Sequence, residues 1–140
     1  MYKCVPLETG LSIEFSASFE GIDSVCMDVK EFIKKQMLEE YSFDIILCVR
    51  EALSNAVRHG SKMDPSKKIL FLLEADSEQV LIRVTDSGQG FDWQSAENKQ
   101  ASPTSTHGRG IDILKLYFDS HRYNAAGNEI ELVKKIKKRR

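Results

Sequence analysis

The hydrophobic period of this chain changes before Gly60, and that change restricts its fold more than any other feature. From Leu11 to Phe19 the residues alternate, with Leu11, Ile13, Phe15, Ala17 and Phe19 on one side and Ser12, Glu14, Ser16 and Ser18 on the other. A period of two marks a half-buried strand. From Ile22 to about Glu40 the apolar residues Val25, Val29, Phe32, Ile33 and Met37 recur at three and four, which predicts an amphipathic helix capped by Asp23 or Ser24. A second helix is expected from Ser42, a candidate cap with Asp44 in the first turn. It runs through Ile45, Ile46, Val49, Leu53 and Val57 to Gly60, a residue suited to a helix C-terminus.

The remainder returns to strands. Ile69 to Leu73 and Val80 to Val84 are continuous apolar runs joined by the polar turn Asp76-Ser77-Glu78-Gln79, which predicts a central hairpin. Asp86 falls where the second run ends. Between Phe91 and Gly108 the composition shifts to Gln, Ser, Asn, Lys, Pro and Thr, a stretch long enough to predict a lid over about 92–107. A short helix from Gly110 to Phe118 follows, then two strands around His121 to Asn124 and Glu129 to Ile136. The whole of 1–140 is read as one domain.

Composition narrows the function classes. A chain of 140 residues that is 41% hydrophobic and 29% charged suffices for one core. No window approaches the roughly 20 apolar residues of a membrane span, so a cytoplasmic protein with no membrane partner is expected. Cys4, Cys26 and Cys48 lack C-x-x-C spacing, and Cys26 and Cys48 are expected to pack as small apolar residues. A net charge of -1 gives no reason to expect direct nucleic-acid binding. The basic stretch from Lys134 to Arg140 reads as a solvated tail or as a contact for phosphates or an acidic partner.

Three boxes carry candidate chemistry. In Glu51-Ala52-Leu53-Ser54-Asn55-Ala56 the carboxylate and the amide lie four residues apart, on one helix face flanked by small residues. Alone, this is also what a solvated helix face looks like. Asp86-Ser87-Gly88-Gln89-Gly90 puts a carboxylate suited to an exocyclic amine before two glycines that let a ligand approach the backbone, although Asp before glycine is also common in turns. Gly108-Arg109-Gly110 precedes a helix, where free N–H groups and the helix dipole suit anionic oxygens and Arg109 can add a charge-assisted contact. Asn55 offers a neutral oxygen suited to Mg2+, and Glu51 a base for a hydroxyl attacking a terminal phosphate. His107 is either a phosphate contact or a surface residue, and His59 suits a helix end. No Walker-type G-x-x-x-x-G-K-[ST] occurs.

In this order the boxes resemble those of the superfamily of gyrase, heat-shock chaperone, histidine kinase and mismatch-repair ATPases, and within it the bacterial anti-sigma factor serine kinases. Glu51-x-x-x-Asn55, with the following Ala56 to Gly60, looks like the family's N box, Asp86-x-Gly88-x-Gly90-Phe91 like its first glycine box and Gly108-Arg109-Gly110 like its second. The resemblance implies an α/β (α+β) fold: a two-layer sandwich of a mixed, mainly antiparallel sheet covered on one face by helices, the Bergerat ATP-binding fold. It implies ATP and Mg2+ as cofactors, Asp86 reading adenine, Asn55 holding the metal, and Glu51 as catalytic base. Gly88, Gly90, Gly108, Arg109 and Gly110 would bind the nucleotide. Implied partners are a small antagonist (anti-anti-sigma) protein as serine substrate, a sigma factor and a second copy of the chain. The sequence departs from many relatives at Gly127-Asn128-Glu129, where they have Gly-Thr.

Within this length there is no room for the phosphoacceptor helices of a histidine kinase or the second domain of a topoisomerase or chaperone. A stand-alone serine/threonine kinase is therefore expected, with a nucleotide-binding regulatory module of little or no kinase activity as the alternative.

Overall fold

The structure is a computed structural model and describes residues 1–87 and 113–137. Six strands form a single sheet: β1 (Tyr2–Leu7), β2 (Gly10–Ser16), β3 (Lys68–Ala75), β4 (Gln79–Asp86), β5 (Ser120–Tyr123) and β6 (Glu129–Lys135), in the order β1-β2-β3-β4-β6-β5. Every pairing among them is antiparallel. Two helices, α1 (Phe19–Lys35) and α2 (Ser42–Asn55), connect β2 to β3, so the molecule is an α+β fold.

Register explains which face the helices cover. Phe15, Ile69 and Asp86 lie opposite one another across β2, β3 and β4, as do Ile13, Phe71 and Val84, and Leu11, Leu73 and Ile82. With a period of two, these residues share one side of the sheet. The aliphatic and aromatic members are all buried, together with Ile22, Val25, Val29 and Ile33 of α1 and Ile45, Val49 and Leu53 of α2. Each large apolar side chain removed from water is worth about 1.5–3 kcal/mol, so docking on the sheet holds these helices more than their intrinsic propensity does. On the opposite face Leu70 is exposed, and Arg83 donates from Nε and Nη2 to Glu131 at 3.2 and 2.8 Å.

The elements depart from sequence expectation in several places. β1 was not anticipated; all its residues but Cys4 are exposed, and it lies at a sheet edge, where burial imposes no alternation. α1 begins at Phe19 rather than Ile22, capped by Ser18, whose Oγ accepts the Gly21 N–H at 3.0 Å, and not by Asp23 or Ser24. It ends at Lys35, five residues before Glu40. Ser42 is not a cap either: a 3₁₀ turn, Glu39–Tyr41, runs straight into α2, and Ser42 is already helical. Asp44 in that first turn places a negative charge where the helix dipole favours one.

Lys134 stands opposite Val80, on the core side of β6. Its side chain is 13% exposed, and its ammonium sits 3.0 Å from Asp44 while donating to the Tyr117 carbonyl at 2.7 Å. It also lies over the rings of Tyr41 and Phe118. One cation thereby ties β6 to the start of α2 and to the helical residues 113–117.

Candidate functional site

The end of α2 shapes the site. After Asn55 the helix does not continue in α form to Gly60; Ala56–Gly60 is wound as a π turn, and the Ser61 N–H bonds back to the Ala56 carbonyl at 2.8 Å. A π turn widens the helix, and such turns are frequent at functional sites. Here it brings Asn55, Ala56, His59 and Gly60 to one cleft, alongside Ala52. Ser61, directly after it, is fully buried and its Oγ has no hydrogen-bond partner among the described residues.

The opposing side comes from the sheet. Asp86 ends the buried row Val80, Ile82 and Val84, so the alternation that builds the core also aims its side chain toward the helices, at the row's open end. A Cβ built on Gly60 would fall on the Asp86 carboxylate, which shows how closely the bare backbone of Gly60 seats that group. Val84, Ile130 and Leu114 add apolar lining, and Tyr123, Gly127, Asn128 and Glu129 complete the far side. An apolar slot with a carboxylate at one place and an amide at another is suited to a flat heterocycle carrying a polar edge and a charged tail.

The turn facing Asp86 is organised by Asn124. Its Oδ1 accepts the N–H groups of Gly127, Asn128 and Glu129 at 2.8, 3.1 and 3.3 Å, and Gly127 takes a left-handed φ of 79°. Asn124 Nδ2 donates to Asn128 Oδ1 at 2.7 Å, and Asn128 Nδ2 donates to the Asp86 carbonyl at 3.2 Å. Sequence reasoning singled out neither Asn124 nor Tyr123, and it gave Gly60 a helix-end role and a place at the end of the N box, without a contact to Asp86. The signal available for the turn was the run Asn124-Ala125-Ala126-Gly127-Asn128, whose end residues favour turns but whose partner across the sheet is not local.

The residues singled out from the sequence are distributed as follows. Asn55 and Asp86 line the same cleft. Glu51 lies one turn earlier on α2, half-buried and outside the cleft lining. Gly88, Gly90, Gly108, Arg109 and Gly110 lie outside the described residues, as do His107 and the expected lid at 92–107. Cys26 and Cys48 are buried, as expected. Burial, reinforced by the charge of Asp44, pushes the Cys48 thiol up to about 12.

Residues 15–134 match the model of the histidine kinase-like ATPase domain. The chain belongs to that family. It is similar to the anti-sigma F factors of Clostridium perfringens strain 13 and strain SM101, each 27% identical over 121 residues that cover 81% of this chain and 85% of the relative. The match takes in the last two residues of β2, then α1, α2, β3, β4, β5 and β6 up to Lys134, so the ATPase domain includes the cleft between Asn55 and Asp86. Among the described residues no helix of this family member is long and apolar enough to cross a membrane, and no group of three or more His, Cys, Asp or Glu side chains gathers as a metal site.

Proposed function

We propose that this protein is an ATP-dependent serine/threonine protein kinase of the anti-sigma factor type, acting in the cytoplasm on a small antagonist protein and sequestering a sigma factor, as a homodimer. The observation that carries this reading is the meeting of Asn55 and Asp86 at one apolar cleft, on a domain of an ATPase family. Similarity to anti-sigma F factors supports the choice of partner.

Each residue has a role in that reading. The Asp86 carboxylate accepts a hydrogen bond from the adenine amine, and Val84, Ile130 and Leu114 exclude water from the base. Asn55 presents an amide oxygen beside small Ala52 and Ala56, a donor and a space that fit Mg2+, which favours oxygen ligands and retains several waters. When bound, the metal offsets phosphate charge. Gly88, Gly90, Gly108, Arg109 and Gly110 bind the phosphates, and Glu51 accepts the proton of the substrate serine as its oxygen takes the terminal phosphoryl group and ADP leaves.

One observation favours a second reading, a regulatory module that binds nucleotide and partner with little catalysis: Glu51 stands outside the cleft lining. Incubation with labelled ATP, Mg2+ and a candidate antagonist protein separates the two. Phosphoserine on the antagonist, lost in Glu51→Ala, supports the kinase; nucleotide and antagonist binding without transfer overturns it in favour of the module.

A further inference from the structure

The ladder between β4 and β6 ends at the pair Thr85 and Glu129, so Asp86, still opposite Ile69 of β3 on one side, lies one step beyond the ladder on its β6 side. Asn128 takes over both of its backbone groups. The Asn128 carbonyl accepts the Asp86 N–H at 2.9 Å, and the Asn128 side-chain Nδ2 donates to the Asp86 carbonyl at 3.2 Å. Asn128 is itself held, because its Oδ1 accepts from Asn124 Nδ2 at 2.7 Å and its backbone N–H is bound by Asn124 Oδ1. The side chain is therefore committed to the protein, with Nδ2 turned toward one carbonyl and Oδ1 toward one amide. It lines the cleft and yet works on the backbone of Asp86.

We infer that Asn128 is a positioning residue for base selection: its side-chain amide fixes the backbone of Asp86 so that the carboxylate, seated against Gly60, meets the amine edge of the base. The inference rests on the reading of the cleft as an ATP site with Asp86 at the base. A strand end secured only by its own N–H retains freedom about the following peptide. The second bond, to the carbonyl, removes it. Since a hydrogen bond weakens steeply with misalignment, a carboxylate that swings loses the amine while the apolar slot still accepts the ring.

The test compares affinities for ATP and for purine riboside triphosphate, which lacks the exocyclic amine, both with Mg2+. Wild type is expected to prefer ATP by about 10-fold or more, the worth of a hydrogen bond to a charged acceptor, and Asp86→Asn to bring the two ligands within about threefold. Asn128→Asp keeps the acceptor for Asn124 and replaces the donor by an oxygen facing the Asp86 carbonyl. It should shrink the preference at least about fivefold while the affinity for the analogue changes less than about threefold, since a role in base selection touches only the amine contact. Should that variant not fold, Asn128→Ala removes the donor without adding charge and is read by the same ratio. An unchanged ratio in a folded Asn128 variant, or equal weakening of both ligands, overturns the inference while leaving the reading of Asp86 intact. If Asp86→Asn itself leaves the wild-type ratio unchanged, both fall together.

Discussion

Replacing Gly60 by alanine tests how the cleft is built. The added methyl would occupy the space of the Asp86 carboxylate, so one of them must move. Gly60 has no left-handed φ, and alanine at a helix end carries no backbone strain there; it gains about 0.5–1 kcal/mol over glycine from reduced chain entropy. Overpacking costs about 1–3 kcal/mol in a rigid setting, but the obstructing group is the far end of a side chain and yields by rotation. The two terms leave a net change within about 2 kcal/mol, a few degrees in melting temperature for a domain of this size. Nucleotide affinity should change far more. Rotating the carboxylate away forfeits a hydrogen bond to a charged acceptor, about 1.5–3 kcal/mol, or roughly 10- to 150-fold in Kd. Calorimetric titration with ATP and Mg2+, beside melting curves without ligand, measures both quantities on one preparation. A folded Gly60→Ala variant that binds ATP within about twofold of wild type would refute the reasoning, because the carboxylate would then matter neither by position nor by contact.

Three further outcomes are expected. Lys134→Met keeps the stem but strands Asp44 and the Tyr117 carbonyl, and should cost about 1–3 kcal/mol by denaturant melts; a loss below about 0.5 kcal/mol would mean the cation is merely accommodated. Ser61→Ala removes a buried hydroxyl that finds no partner among the described residues, and is expected to be neutral or stabilising by up to about 1 kcal/mol, whereas a clear loss of stability in the same melts would show that the hydroxyl is engaged. Cys48 has its pKa raised in the fold from an ordinary 9.0 to about 12, so its contribution is complete below pH 9.0 and declines as pH rises toward 12. The stability difference between wild type and Cys48→Ala should therefore narrow over that interval, and a difference that widens would contradict the burial of the thiol.

How much of this was legible in the sequence depended on whether the responsible interaction was local. The helix face carrying Asn55 follows from four-residue spacing, and the position of Asp86 at a strand end follows from the apolar run before it; both need only the chain's own period. Ser18 is hidden as the α1 cap because the alternation from Leu11 runs on through Ser18 and Phe19 and so reads as strand, whereas β2 stops at Ser16 and Phe19 is already helical. β1 carries Cys4 and Pro6 among exposed residues, and its pairing with β2 supplies what its pattern does not. The π turn after Asn55 has no compositional sign, and it decides that His59 and Gly60 join the cleft. Least legible was the bond from Asn128 to Asp86, which links residues 42 apart and exists only once β4 and β6 are paired.

Whether the cleft between the π turn and β4 is the ATP site is tested most directly by mapping amide chemical shifts of the labelled protein as ATP and Mg2+ are added. The account predicts that, among the described residues, the largest shifts fall on Asn55, Gly60, Asp86, Gly127 and Asn128, and that Asp86→Asn shifts them only at far higher nucleotide concentration. Shifts centred instead on Tyr41, Glu78 and Lys137, where a second surface hollow lies, or no shifts at saturating nucleotide, would contradict it.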